Sequence, residues 1–420
     1  MPPSSLPPPP PPTMTMTSRL PLQPSWMSTE SYSLLLLLIS AMLFSTMGVF
    51  LKLASNSGLP ATELVLFRAM YQGVFVVLGL LHWSPTSIAE GGDEYLANSS
   101  SGSSGSKRIL LQTPFGGTPK VQNVVIARGI FGGVGFVMYF VSIKMLPLGD
   151  AITLFSIYPI ITIALAAIML GEQVRSVHVL ATTASLAGAI FIARPTFIFG
   201  ISSSNMNTDD GNDDSELSSS YYWVGYITAM IGSCCGAAVM TLIRKAGTIG
   251  AHALQLLFSW AVFGISASIV FGFLLQSIDG VWYIPTSSRV WMYLIAMGTV
   301  GSCAHFLMNY AGRLAPAGLG SIVRSSDIVW AYMWEIVVFG QMPQPLTWFG
   351  VALILVSLGA VAVQKFWDEQ EKKRRISDTM ADEASTLLSA VHTNNDNDTN
   401  GGDNSNSDSR VDYGSRTSSS

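Results

Sequence analysis

The sequence predicts an all-α integral membrane protein with ten transmembrane helices, arranged as two inverted five-helix repeats. Three observations support this fold class. Hydrophobic residues make up 49% of the chain and charged residues only 11%, whereas about 25% is usual in soluble domains. Apolar runs of 17 or more residues recur, and helices of that length can cross the hydrocarbon core of a bilayer. The two halves of the chain also partly match each other.

The apolar runs define ten expected spans. They cover residues 34–53, 64–81, 124–143, 151–170, 177–193, 221–242, 253–275, 290–310, 319–339 and 346–363. The first repeat is therefore expected at residues 34–193 and the second at 221–363, with a polar acidic loop at 195–220 between them. The proline-rich tail 1–32 and the Asn/Asp/Ser-rich tail 364–420 cannot bury a core, so we expect both to be disordered.

Basic residues indicate the orientation in the membrane. With a cytosolic N-terminus, the cytosolic segments hold 14 Lys and Arg residues, with Arg128 counted among them, and the opposite segments hold 4. The positive-inside rule then predicts that both termini are cytosolic and that the loop around Asp209 faces the lumen or the exterior. We expect a vacuolar, endosomal or plasma membrane location.

Signatures of metal binding and catalysis are missing from the sequence. Cys234, Cys235 and Cys303 lie in apolar segments without CxxC or Cys/His spacing, which favours free thiols over a disulfide or a metal site. An intramembrane protease would need Gly-x-Gly-Asp or HExxH, and Pro147-Leu148-Gly149-Asp150 lacks the first glycine. We expect no enzymatic activity, no cofactor and no nucleic-acid partner; the expected partners are the lipid bilayer and a small-molecule substrate.

The internal match appears when the chain is shifted by 169 residues. Pro147 then aligns with Pro316, Gly132 with Gly301, and Gly171-Glu172 with Gly340-Gln341. Because each half has an odd number of spans, the two halves must have opposite orientations in the membrane. Inverted repeats that enclose a site near the bilayer midplane are common in transporters.

Short motifs carry a family resemblance. Glu63-x4-Arg68, Leu146-Pro147-x-x-Asp150-Ala151, Tyr158-Pro159 and Leu170-Gly171-Glu172 resemble an EamA repeat of the drug/metabolite transporter superfamily. The second half repeats this pattern more loosely, and its Val323-Arg324-Ser325-Ser326-Asp327 is similar to solute carrier family 35 G-type proteins. The resemblance covers residues 34–363 and implies a ten-helix carrier without specifying its substrate. Gln341 departs from the family, which often has a second glutamate there.

Ionisable residues inside the spans are candidate site residues, because each costs about 2.5–3.5 kcal/mol at the middle of a helix. The ninth span carries Arg324, Asp327 and Glu335, which share one face of a continuous helix, and Arg324 can pair with Asp327. Two interpretations of these residues are open: a structural ion pair between helices, or the wall of a water-filled cavity. His305 and Asn309 share a face of the eighth span, either as interior hydrogen-bonding groups or with a substrate or proton role.

The repeat suggests what kind of cavity these residues form. Arg68 could bind an anion or pair with Glu63. The repeat mates of the five polar residues of the eighth and ninth spans are aromatic or small, namely Phe136, Phe140, Phe155, Tyr158 and Ala166. We interpret this as one charged wall and one aromatic wall, which suits an anionic or zwitterionic organic metabolite. Arg324 or Arg68 is the candidate anion partner.

The resulting functional prediction is a secondary transporter that works by alternating access. Proton coupling is expected to involve Asp327 or Glu335, because a carboxyl group in apolar surroundings is protonated more readily. A nucleotide-sugar transporter and a non-transporting membrane regulator on the same scaffold are the alternatives.

The C-terminal tail contains a candidate sorting signal. Glu383 lies four residues before the pair Leu387 and Leu388, and this spacing resembles the acidic dileucine signals that clathrin adaptors read. An extended segment could place both leucines in an apolar pocket. A chance match is the alternative.

Overall fold

The computed structural model describes residues 27–82, 113–146, 148–194, 198, 214–340 and 345–399. The regular elements in these ranges are helices. Those of the first repeat are α1 (Thr29–Ser55), α2 (Ala61–His82), α3 (Pro119–Met145), α4 (Leu148–Phe155), α5 (Tyr158–Leu170) and α6 (Ser176–Ala193). Those of the second are α7 (Asp214–Thr248), α8 (Ala253–Leu274), α9 (Gln276–Asp279), α10 (Ser288–Gly312), α11 (Ala317–Arg324), α12 (Asp327–Phe339) and α13 (Pro345–Thr399).

The membrane spans agree with the predicted fold class. Within the described ranges, nine helices are long and apolar enough to cross a membrane, with α4 and α5 together counted as one. The ninth predicted span is not among these nine. It is divided into α11 and α12, and it contains three charged residues, Arg324, Asp327 and Glu335. With that broken span included, the described residues contain the ten predicted transmembrane helices.

The breaks occur at equivalent places in the two repeats. Adding 169 to the bounds of α4 and α5 gives the bounds of α11 and α12. In the first repeat, Pro159 cannot donate a backbone N–H and its ring crowds the preceding turn, so the helix is interrupted there. In the second repeat, the Ser325 hydroxyl donates to the Ile322 carbonyl at 2.6 Å, a local bond of the kind that competes with helix continuation.

The prediction of a continuous ninth span was therefore wrong. The shared face of Arg324, Asp327 and Glu335 was derived from an uninterrupted helix. The break falls between Arg324 and Asp327, so these two residues end one short helix and begin the next.

The fourth span and its equivalent, the ninth span, end in the same way. Gly171 follows α5 with φ 66° and Gly340 follows α12 with φ 65°. This left-handed conformation favours glycine over residues with a side chain. The Gly-Glu and Gly-Gln motifs of the sequence therefore begin at helix C-caps.

The repeats interlock according to an approximate twofold relationship. Helix α3 packs against α7 and α8, and its equivalent α10 packs against α1 and α2. Helices α2 and α8, which are equivalent to each other, pack together near the centre. The core therefore lies between the repeats and not within either one.

Two expected irregular segments are helical. Helix α7 begins at Asp214, inside the predicted loop 195–220, and α13 extends to Thr399, although disorder was predicted from residue 364. Charged helix formers explain the second difference, with Glu371 and Arg375 forming an ion pair one turn apart. By their contacts, the described residues up to Val363 form one unit and those from Gln364 onward form another. Glu383 is exposed on this helix, so the candidate sorting signal is not in an extended segment.

Candidate functional site

A cavity of about 560 Å³ lies between the repeats, next to the two broken spans. Its lining runs from the exposed residues Ser55 and Asn56 to the buried residues Met240 and Met308. We call the first of these sides the Asn56 end. Aromatic rings make up much of its lining, including Phe44, Phe131, Phe136, Tyr139, Phe140, Phe155, Tyr158, Trp260 and Tyr332.

The charged lining is mainly basic. Among the described residues, Lys52, Arg128 and Arg324 line the cavity, and Asp327 is the acidic residue there. Arg324 Nη1 lies 2.9 Å from Asp327 Oδ2, and the Arg324 guanidinium packs 4.2 Å from the centre of the Phe44 ring. The predicted ion pair is present and bridges the break between α11 and α12. Asp327 therefore balances the charge of Arg324, whereas Arg128 hydrogen-bonds the neutral groups described next.

A buried polar chain surrounds Arg128. Its Nη2 lies 2.6 Å from His305 Nε2, and its Nε donates to Asn309 Oδ1 at 3.2 Å. His305 Nδ1 lies 2.9 Å from Gln72 Oε1, and Gln72 Nε2 donates to the Leu257 carbonyl at 3.1 Å. These neighbours fix the neutral tautomer of His305, with the proton on Nδ1 and Nε2 accepting from Arg128. His305 and Asn309 thus hold an arginine.

Sequence reasoning missed the role of Arg128. The count of basic residues places it in a cytosolic segment, but it is fully buried in α3. The signal was available, because residue 128 lies inside the third predicted span at 124–143. An intramembrane arginine there needed the same explanation as Arg324.

Arg68 is also buried, with 1% of its surface exposed. Its guanidinium carbon lies 4.3 Å from the centre of the Phe136 ring, 4.6 Å from Trp260 and 5.7 Å from Phe44. Within the described part of the chain, its Nε, Nη1 and Nη2 have no hydrogen-bond acceptor, and neither does Arg128 Nη1. The expected alternative of a pair with Glu63 is not found: Glu63 Oε2 accepts from the Tyr283 backbone N–H at 3.2 Å.

Two equivalent glycines make room for these arginines. A Cβ on Gly132 would lie 2.9 Å from Arg128 Nη1, and a Cβ on Gly301 would lie 2.9 Å from Arg68 Nε. Gly132 and Gly301 are the pair that the internal repeat aligns. Each repeat therefore uses the same small residue to admit one buried guanidinium.

The remaining motif residues connect elements. Tyr158 donates its hydroxyl to the Ser321 carbonyl at 3.2 Å, and Asp150 Oδ2 accepts from Tyr226 at 3.2 Å. Pro316 precedes α11 as its N-cap residue. Pro147 and Gln341 lie outside the described residues, as do the side chains of Glu335, Leu387 and Leu388.

Glu172 closes the side of the bundle opposite Asn56, which we call the Glu172 end. Its Oε1 and Oε2 accept from the Ala317 backbone N–H at 3.1 and 3.0 Å, and its Oε1 lies 3.4 Å from Arg244 Nε. Arg244 Nη1 donates to the Arg313 and Leu314 carbonyls at 2.8 and 3.0 Å. We call these contacts the Glu172 latch. It joins the end of α5 to α7 and to the start of α11.

A second set of contacts at this end involves His252. Its Nδ1 accepts from the Leu254 N–H at 3.2 Å and caps α8, while Arg313 Nη1 donates to the Ala251 carbonyl at 2.6 Å. Burial, together with the nearby Arg313 charge, lowers the pKa of His252 from 6.5 to about 3. Burial lowers the pKa of Arg313 to about 10.

Ten spans in two inverted repeats around a central cavity are the architecture of a multi-pass membrane transporter. Residues 31–194 and 223–363 match the model of the EamA-like transporter family. The chain belongs to this family.

Several curated relatives are similar to this chain over most of its length. A probable transport protein of Saccharomyces cerevisiae is 25% identical over 78% of this chain and 87% of its own. Solute carrier family 35 member G1 of Homo sapiens is 26% identical over 80% of each chain. The pseudopaline exporter of Pseudomonas aeruginosa is 25% identical over 79% of this chain and 96% of its own. One crystal structure shares the fold with a TM-score of 0.57 at 14% identity, and covers 80% of this chain and 98% of that one.

Proposed function

We propose that this membrane transporter carries a small organic anion, and that the cavity between the repeats is its binding site. The observation that supports this proposal is the excess of basic residues in the cavity lining. Arg128 and Arg324 lie there among aromatic rings, and Asp327 is the acidic residue of the described lining. Buried positive charge in a low dielectric favours an anion over a cation or a neutral solute. The rings offer an apolar surface to an organic body.

The position of the latch supports a mechanism of alternating access. The cavity lining includes the exposed Ser55 and Asn56 at the Asn56 end, whereas Glu172, Arg244 and Ala317, through which the latch joins the repeats, are not part of it. Transport requires this latch to separate while the opposite end closes. The broken spans are the natural hinges, because discontinuous helices can change direction there without losing many hydrogen bonds.

Proton coupling is the second part of the proposal. Asp327 is held by Arg324 and also receives the Ser45 hydroxyl on its backbone carbonyl. An anion that approaches Arg324 competes with Asp327 for the guanidinium, and an Asp327 released from its partner can take up a proton. Glu335 on α12 is the other carboxylate proposed for this step. A Glu335→Gln variant should retain substrate binding but lose the dependence of transport on a pH gradient.

Reconstitution of the full chain in proteoliposomes tests the substrate class. Uptake and efflux are measured for organic anions, zwitterions, organic cations and a nucleotide sugar. One relative bears the name of an exporter, so efflux is the first direction to test. We expect transport of anions, abolished by Arg128→Met and partly kept by Arg128→Lys.

Arg289→Met provides the matched control, because Arg289 is exposed at the start of α10. Transport of cations alone would contradict the proposal. A folded protein that moves none of these solutes would favour the membrane-regulator alternative.

A further inference from the structure

The two buried arginines outside the ion pair have a charge that the described residues do not balance. Asp327 compensates Arg324, whereas Arg128 hydrogen-bonds only neutral groups and Arg68 makes no hydrogen bond in the described part of the chain. Burying an unpaired charge is costly, and natural structures usually avoid it. Two such charges side by side need a reason other than stability.

The two guanidinium groups border the same aromatic ring. Arg68 lies 4.6 Å from the centre of Trp260. His305, which holds Arg128, packs against the same indole with ring centres 4.8 Å apart. A Cβ on Gly132 would contact both Trp260 Cδ1, at 2.7 Å, and Arg128 Nη1. Arg68 therefore contacts the Trp260 indole directly, and Arg128 is held next to the same indole by His305.

Their positions relative to the cavity differ. Arg128 lines the cavity, and so do Phe44, Phe136 and Trp260. Arg68 lies directly behind these three rings. A cargo group can thus contact Arg128 and feel Arg68 through one layer of aromatic side chains, where the low dielectric keeps the attraction strong.

We propose that Arg68 and Arg128 form a charge-selecting subsite, which takes an oxyanion head group carrying two negative charges. Arg128 makes the direct contact and Arg68 supplies the second positive charge. This inference rests on the proposed function for the cavity but names a narrower class of cargo. A single carboxylate would leave one guanidinium unbalanced, whereas a phosphate monoester or a dicarboxylate balances both.

The melting temperature of an Arg68→Met variant distinguishes the proposed subsite from a purely structural role for Arg68. If Arg68 held the helices together, its replacement by Met would lower the melting temperature of the empty protein. If it serves the cargo, Arg68→Met removes an unpaired buried charge at similar side-chain volume, and the empty protein melts at the same temperature or higher.

The test measures binding to the detergent-purified full chain by ligand-induced thermal stabilisation. The probes share a benzene ring and differ in charge: phenyl phosphate and phthalate with about two negative charges near pH 7.5, benzoate with one, and benzamide with none. We expect the wild type to bind both dianions about tenfold or more tightly than benzoate. Phenyl phosphate and phthalate distinguish phosphate recognition from recognition of paired carboxylates.

In Arg68→Met the preference for dianions over benzoate should fall towards one, while benzoate binding persists through Arg128. Arg68→Lys should keep part of the preference, and Arg289→Met should keep all of it. An unchanged preference in Arg68→Met, or equal stabilisation of the wild type by benzamide and the dianions, overturns the subsite. A different outcome is also possible: Arg68→Met loses the dianion preference, but the wild type moves no anion in proteoliposomes. That result would support the subsite and contradict the proposed function.

Discussion

The Glu172 carboxylate accepts the backbone N–H of Ala317 with both oxygens, at 3.1 and 3.0 Å, so a residue of the first repeat caps a helix of the second. This contact satisfies a backbone donor that an uncapped helix leaves free. Arg244 adds an ion pair and bonds to two carbonyls near the end of α10. The motif glutamate therefore has a specific task at the closed end of the cavity.

Weakening this latch should favour the opposite-facing state. In Glu172→Ala, loss of the cap and of the ion pair should cost the closed end about 1–2 kcal/mol. A cysteine introduced at the buried position Ser321, in a protein without its three native cysteines, should react faster with a maleimide. Glu63→Ala is the matched control at the Asn56 end, and similar labelling rates in the two variants would argue against the latch.

Gly301 offers a test of arginine placement that leaves every charge in place. The methyl group of Gly301→Ala would lie 2.9 Å from Arg68 Nε and 2.7 Å from Met47 Sδ, so the guanidinium has to move. We expect the dianion preference to drop severalfold. Gly359→Ala is the control, because a Cβ there meets no atom within 4 Å. Equal preferences in the two variants would show that the position of Arg68 is unimportant.

His252 should make the protein sensitive to acid. Its pKa is lowered from 6.5 to about 3 in the folded state, so the unfolded chain binds the proton more readily. The contribution of His252 is fully present above pH 6.5 and is lost as the pH falls from there towards 3. The loss is about 2 kcal/mol at pH 5.

The variant His252→Asn separates the titration of residue 252 from its role as a helix cap. Asparagine keeps a side-chain cap for α8 but does not titrate. Melting temperatures measured from pH 7.5 to pH 5 should fall less steeply in the variant than in the wild type. Parallel curves would mean that His252 does not govern acid stability.

Orientation can be tested through the two N-x-S/T sequons, at Asn98 and Asn397. Moving Arg128 into a span reduces the basic excess on the proposed cytosolic side by one residue but leaves its direction unchanged. We expect both asparagines to be cytosolic and unglycosylated. Glycosidase treatment followed by a mobility measurement checks this. A glycan on Asn98 would reverse the proposed topology.

The sequence predicted the fold well because long apolar runs and an odd number of spans per half leave few alternatives. It predicted the pair of Arg324 and Asp327 from their spacing, but not the break between them, which depends on hydroxyl bonds to nearby carbonyls. It could not show that Arg68 lacks an acceptor. That fact depends on the packing of Phe136 and Trp260, which come from other helices.

The matching breaks after Phe155 and Arg324 have a consequence for how the molecule can change shape. The two halves already contain the same pair of short helices in opposite orientations. If each repeat adopts the hinge geometry that the other has in this structure, the molecule faces the opposite way. Neither half needs to fold anew. In the transport cycle proposed above, this one pair of hinges, present in both repeats in opposite orientations, exposes the cavity first on one side of the membrane and then on the other.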